Sequence, residues 1–87
     1  MEVIVYRVCL DIDCLEPGDY LGIGAWRTKF EDTFATKKAA ISVCESKFAK
    51  QPLNDYVKAV HAEVRRITIT DNGMADAKRI YNKFKTR

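Results

Sequence analysis

The stretch that decides the fold is Val3-Ile4-Val5-Tyr6-Arg7-Val8-Cys9-Leu10-Asp11-Ile12. Its even-numbered side chains are apolar or aromatic and, at a period of two, fall on one face of an extended strand. The odd-numbered side chains on the other face are about half apolar. The pattern therefore predicts a β-strand that lies in the centre of a sheet rather than at its edge.

A second strand is predicted over residues 22–35, where Trp26, Phe30 and Phe34 repeat on one face. We expect Trp26, the single tryptophan of the chain, to lie in the hydrophobic core. The two strands are expected to pair antiparallel through the 13–22 connection, in which Pro17-Gly18 favours a type II turn. Because this connection is long for a hairpin, it is a candidate functional loop.

A helix is predicted from the N-cap residue Thr36 to about Lys50, because Pro52 ends any helical continuation. Four residues at helical spacing would form its inward stripe, namely Ala40, Ile41, Cys44 and Phe48. Residues 56–70 fit either a helix or a strand, since Tyr56, Val60 and Val64 suit both periods. The β-branched run at 67–70 favours a long strand with a bulge near Arg65.

The last segment, Met74–Lys85, follows the turn signal Asp71-Asn72-Gly73. A second helix is predicted there, with five residues on its inward face: Met74, Ala77, Ile80, Tyr81 and Phe84. The element order β-β-α-β-α makes the chain one domain over residues 1–87. The expected architecture is a two-layer α+β sandwich, with a three-stranded antiparallel sheet and helices on one face.

Charge is distributed unevenly along the chain. Residues 1–35 carry seven acids against three bases, a net of −4, whereas residues 36–87 carry twelve bases against five acids, a net of +7. The small formal total of +3 therefore hides a strong asymmetry. Such a field steers charged partners and says little about fold or chemistry.

The N-terminal segment lacks the basic and apolar regions of a secretory signal, and no stretch approaches the length of a membrane span. The three cysteines, an odd number, suit free thiols in a reducing compartment better than a Cys9–Cys14 bridge. We therefore expect a soluble protein of the cytosol.

The sequence carries no catalytic signature. The single histidine, His61, has no neighbouring nucleophile or carboxylate in a recognisable motif, and no cysteine pair has zinc-ligand spacing. The acids between residues 11 and 19 do not match a calcium loop, because Leu15 occupies a ligand position. We therefore predict a protein that is not an enzyme and that uses no metal or cofactor.

Two surfaces are candidate binding sites. The first is an acidic and aromatic region with the composition of a protein-interaction hot spot, and its residues are Asp11, Asp13, Glu16, Asp19, Tyr20 and Trp26. The second is a basic region of the C-terminal half that could contact phosphates, and its residues are Arg65, Arg66, Lys78, Arg79, Lys83, Lys85 and Arg87. In that region Tyr81 and Phe84 are expected in the core rather than stacked on bases.

The architecture resembles that of small accessory proteins encoded by bacteriophages, including host-polymerase inhibitors and anti-CRISPR proteins. The stretches that carry the resemblance are the strand Trp26–Ala35, the helix start Thr36-Lys37-Lys38-Ala39-Ala40-Ile41 and the strand near 56–66. The resemblance implies a non-catalytic inhibitor or modulator that occludes a host protein complex in the host cytoplasm, and it assigns no site residue.

The resulting expectation is a binding protein that docks on a protein partner through region 11–26, region 65–87 or both. The alternative is a nucleic-acid-binding module that uses the C-terminal half. A homodimer formed through an exposed sheet edge is also compatible with the sequence.

Overall fold

The computed structural model describes residues 1–15 and 24–87. Within these residues the elements are β1 (Val3–Cys14), β2 (Ala25–Phe34), α1 (Lys37–Lys50), β3 (Val57–Ile69) and β4 (Ala75–Thr86). The strands form one sheet in the order β2-β1-β3-β4, and every neighbouring pair is antiparallel. The α+β class is confirmed, but the described residues hold four strands and one helix instead of three strands and two helices.

The core lies between α1 and one face of the sheet. The alternation in β1 buries Val8, Leu10 and Ile12 on this face, as the sequence predicts. β3 adds Val60, Ala62 and Val64 beside them, and α1 covers them with Ala40 and Cys44, so these eight residues belong to one buried cluster. Because β1 lies between β2 and β3, its apolar face is at the centre of the core.

Local interactions fix both ends of α1. At its start, the Thr36 hydroxyl accepts a hydrogen bond from the Ala39 N–H at 3.2 Å, which confirms the predicted N-cap. At its end, Lys85 Nζ of β4 donates to the Phe48 carbonyl at 3.0 Å. The same carbonyl accepts the Gln51 N–H at 3.2 Å, and a cation at this position interacts favourably with the helix dipole.

The segment after residue 74 is a strand, so the prediction of a C-terminal helix is wrong. The cause is a bulge: Val64 pairs with Tyr81 but Arg65 pairs with Arg79, which leaves Ile80 as an extra residue in β4. The extra residue breaks the period of two and gives the apolar residues a helix-like spacing. The bulge predicted near Arg65 is therefore real, and its inserted residue lies in the partner strand.

The turn signal at residues 71–73 forms a β-hairpin between β3 and β4 rather than a helix cap. Thr70 N–H donates to the Met74 carbonyl at 2.9 Å, and Gly73 N–H donates to the Thr70 carbonyl at 2.9 Å. Gly73 has a φ of 76°, a conformation that glycine adopts at little cost. A type I turn followed by a glycine at positive φ is a common three-residue hairpin connection.

Trp26 is not in the core. β2 has its own bulge, because Leu10 pairs with Phe30 while Asp11 pairs with Thr28, which leaves Lys29 as the extra residue. Phe30 packs against the core on the helix side, whereas Trp26 lies on the other face and is 53% exposed. A strict alternation from Trp26 to Phe34 wrongly places all of these aromatic rings on one face.

The described residues form a slab of 51 × 25 × 15 Å with two broad faces. The helix-side face carries the core and α1. No described element lies on the second face, which we call the open face. None of the helical structure in the described residues has the length and apolar character needed to span a bilayer.

Candidate functional site on the open sheet face

Cross-strand register shows which residues share the open face, because directly paired residues lie on the same side of a sheet. Asp13 pairs with Trp26 of β2, and Asp11 pairs with Thr28 of β2 and His61 of β3. His61 in turn pairs with Phe84 of β4. The structure thus places together a band of five chemically distinctive residues, which we call the aromatic–acidic band: Trp26, Asp13, Asp11, His61 and Phe84.

Two large aromatic rings of this band face solvent on the edge strands. Trp26 is 53% exposed and Phe84 is 56% exposed. The Phe84 ring packs against the His61 ring, with ring centroids 6.4 Å apart and ring planes inclined by 56°. Half-exposed aromatic rings that neighbouring side chains hold in place are the usual anchors of protein-recognition surfaces.

Asp11 is held at the centre of the band by two donors. Thr28 Oγ1 donates to Asp11 Oδ1 at 2.9 Å, and the Cys9 thiol donates to the same oxygen at 3.5 Å. Burial, the negative charge of Asp11 and this hydrogen bond together raise the pKa of Cys9 to about 11. Cys9 is therefore a neutral thiol at physiological pH and a poor nucleophile.

A shallow depression of about 210 Å³ adjoins the band and is lined by Arg7, Cys9, Glu31, Glu63 and Arg65. Arg7 Nη1 lies 3.4 Å from Glu31 Oε1, and Arg65 Nε donates to Glu63 Oε1 at 3.0 Å. Glu63 is nearly buried and also faces Arg79 Nη1 at 3.9 Å. These ion pairs fix the side chains of the depression but leave the arginine heads partly exposed.

The acidic and aromatic residues predicted to bind a protein partner are brought together only in part. Asp11, Asp13 and Trp26 lie side by side on the open face. Glu16, Asp19 and Tyr20, with the predicted turn at Pro17-Gly18 and the start of the predicted strand at Gly22, lie outside the described residues.

The basic residues predicted to contact nucleic acid do not form one face of a helix, because their segment is a strand. Alternation divides them: Arg65 and Arg79 lie on the open face, whereas Arg66, Lys78, Lys83 and Lys85 lie on the helix side. Arg87 binds the Asn54 carbonyl and the Asp55 carboxylate near the end of the sheet.

Two of the helix-side lysines also have a packing role. Lys83 Nζ and Lys85 Nζ lie 5.8 and 4.6 Å from the Phe48 ring centroid. They stabilise the contact between β4 and α1 through cation–π attraction and their aliphatic stems.

Sequence reasoning missed Phe84 as a surface residue of the site. Phe84 was expected in the core with Tyr81. In β4 these two rings lie on opposite faces: Tyr81 packs against the core and donates its hydroxyl to Glu45 Oε1 at 2.8 Å, while Phe84 points into solvent. The alternation of Lys83, Phe84 and Lys85 was one sequence signal for a strand here.

The described part of the chain has no group of three or more His, Cys, Asp and Glu side chains arranged to hold a metal ion. Its three cysteines are free, and Cys44 is fully buried. Comparisons with protein-family models, curated proteins and solved structures find no match to this chain.

Proposed function

We propose that this chain is a non-enzymatic binding protein that docks its open sheet face on a basic surface of a protein partner. The observation that supports this proposal is the exposure of Trp26 and Phe84 at the two sides of a band whose charged members are Asp11 and Asp13. Aromatic anchors supply affinity, and carboxylates between them select a partner that presents lysine or arginine.

The geometry favours a cationic side chain over a phosphate as the ligand of the band. Asp13 is directly opposite Trp26, so a lysine or arginine placed on the indole ring would also meet a carboxylate. An indole face attracts a cation, and a nearby carboxylate adds a charge-assisted hydrogen bond. The same carboxylates would repel the backbone of a nucleic acid stacked on Trp26.

The edges of the sheet are less suited to binding than its face. β2 and β4 each carry a bulge, at Lys29 and Ile80, and both strands are rich in charged residues. Bulges and charges on edge strands are the devices that oppose strand addition from another chain. Their presence on both edges supports docking through the open face and weakens the expectation of an edge-paired homodimer.

The proposed consequence of docking is occlusion of the partner. A slab only 15 Å thick can cover a binding surface on a larger complex without contributing chemistry. This is the mode of action implied by the architectural resemblance to bacteriophage accessory inhibitors.

The proposal is tested by affinity capture with the immobilised protein in bacterial lysate, followed by measurement of association kinetics with the captured protein. The double variant Trp26→Ala/Phe84→Ala should lose the partner, whereas the control Met74→Ala, at an exposed apolar residue in the β3–β4 hairpin, should keep it. The double variant Asp11→Lys/Asp13→Lys should slow association at low salt and have less effect near 0.5 M salt, a condition of short-range screening. Partner capture and association rates that stay unchanged in all four substitutions on the open face would refute the proposal.

The charge on the helix side favours nucleic-acid binding as a second candidate function. Alternation and the position of α1 place nine bases and three acids there: Arg27, Lys37, Lys38, Lys47, Lys50, Arg66, Lys78, Lys83 and Lys85 against Asp32, Glu45 and Asp76. A polyanion would meet this face rather than the aromatic–acidic band. Binding of labelled DNA or RNA should then weaken steeply with salt and weaken further in Lys78→Gln.

A further inference from the structure

Three arginines form a single cross-strand row on the open face. Arg7 pairs directly with Arg65, and Arg65 pairs directly with Arg79, so the row crosses three adjacent strands. Like charges placed opposite one another destabilise a sheet unless something neutralises them. The row lies four residues along β1 from Asp11, about 13 Å, and is therefore a feature separate from the aromatic–acidic band.

Carboxylates neighbour this row on one side only. On that side lie Glu31 and Glu63, which are brought into one cross-strand line by Cys9. On the other side the next line consists of Val5, Ile67 and Ala77, which carry no charge. Three guanidinium groups thus meet two carboxylates, which leaves one positive charge of the row unbalanced.

Most hydrogen-bond donors of the row are free to bind a ligand. Each guanidinium carries five N–H donors. Within the described residues, the side chain of Arg65 donates only through Nε, and that of Arg7 only through Nη1. Arg79 Nη1 is 3.9 Å from Glu63, which is beyond hydrogen-bond range. Glu63 and Glu31 therefore orient the guanidinium groups without saturating them.

We propose that this row is a binding site for an oxyanion with at least two terminal oxygens, the group presented by a phosphate ester or by a carboxylate. Planar guanidinium groups bind such oxygens in pairs, and three neighbouring groups offer more than one bidentate arrangement. The ligand would bind the solvent-exposed part of the row, where the guanidinium groups remain accessible. The proposal goes beyond the proposed function, and its test is independent of partner docking.

The test is a titration of ¹⁵N-labelled protein with inorganic phosphate and, in a second arm, with acetate, at constant pH and ionic strength. Saturable shifts of the arginine Nε–H signals and of the amides around Arg7, Arg65 and Arg79 are expected. Saturation by phosphate alone would assign the site to phosphate esters, and saturation by both anions would extend it to carboxylates. Shifts that stay linear, or that fall mainly on the helix-side lysines, would overturn the proposal.

Matched variants distinguish a specific anion site from the general electrostatic attraction of anions to a basic protein. Arg65→Gln should weaken phosphate binding about tenfold or more, since it removes the central charge-assisted donors. Lys78→Gln removes the same charge beside Arg79 but on the helix side, and it should leave the affinity unchanged. Because Arg65 also pairs with the nearly buried Glu63, Arg7→Gln provides a second variant whose acidic partner is half exposed. Equal effects of Arg7→Gln and Lys78→Gln would also overturn the proposal.

Discussion

Cys9 lines the depression together with Arg7 and Arg65, and arginines near a thiol favour the thiolate. The structure predicts the opposite behaviour. Burial, the charge of Asp11 and the thiol's hydrogen bond to that carboxylate raise the pKa of Cys9 from 9.0 to about 11. Below pH 9, a rise of two units reduces the thiolate population by about 100-fold.

The expected change in reactivity is smaller than the change in thiolate population. A thiolate of higher pKa is intrinsically more nucleophilic, with a Brønsted coefficient of about 0.4–0.5, which returns nearly a factor of ten. Cys9 in the folded protein should therefore react about tenfold more slowly at pH 8 than the same residue in the unfolded chain, before any steric protection. Its rate should rise almost tenfold per pH unit between pH 8 and 10, whereas the rate of the unfolded thiol, which is half ionised at pH 9, should level off towards pH 10.

The assay is alkylation with iodoacetamide across this pH range, with each cysteine quantified by peptide mass spectrometry in native and guanidinium-unfolded protein. Asp11→Asn should recover part of the lost reactivity of Cys9, because it removes the negative charge beside the thiol while the burial of Cys9 remains. Asp13→Asn removes the same charge on the same strand and serves as the control. A native Cys9 that reacts as fast as in the unfolded chain and whose rate levels off towards pH 10 would refute this electrostatic account.

Three further predictions follow from the packing and the hydrogen bonds. Val64→Ala, at a residue with no exposed surface, should lower the free energy of unfolding in urea by about 2–3 kcal/mol. An equal loss of unfolding free energy from Val3→Ala, at a residue that is 51% exposed, would contradict the assigned core. Thr36→Ala should cost about 1 kcal/mol in the same assay, and Thr36→Asp, which keeps an acceptor for the Ala39 N–H, should cost much less. The hydrogen bond to Glu45 raises the pKa of Tyr81 to about 12. Absorbance titration should therefore show one tyrosine that ionises late, and Glu45→Gln should return its pKa towards 10. The stabilisation linked to this group is complete below pH 10 and is lost as the pH rises through 12.

The sequence predicted the parts of the fold that obey a single period. β1 alternates apolar and polar residues over most of its length, and α1 combines an N-cap at Thr36 with a buried stripe through Ala40 and Cys44. In both elements local preference and burial agree. Each was therefore predicted close to its observed bounds.

The errors arose at the bulges in the edge strands β2 and β4. One extra residue at Lys29 places Trp26 on the open face, and one at Ile80 gives the apolar residues of β4 a helix-like spacing. A bulge reflects how two strands pair across the sheet, and a single sequence does not contain that information before the partner strand is known. The open-face site joins residues of four strands, so predicting it required the same cross-strand register.

The central claim is that the open face binds a cationic protein surface, and Trp26 is a built-in reporter because it is the only tryptophan in the chain. The most direct test is the fluorescence of Trp26 during titration with a synthetic peptide of alternating arginine and valine and, in parallel, with single-stranded DNA, at 50 and 200 mM salt. A saturable change with the peptide that is lost in Asp11→Asn/Asp13→Asn, and no change with DNA, is the predicted result. A change with DNA and none with the peptide would contradict the account and assign the open face to nucleic acid.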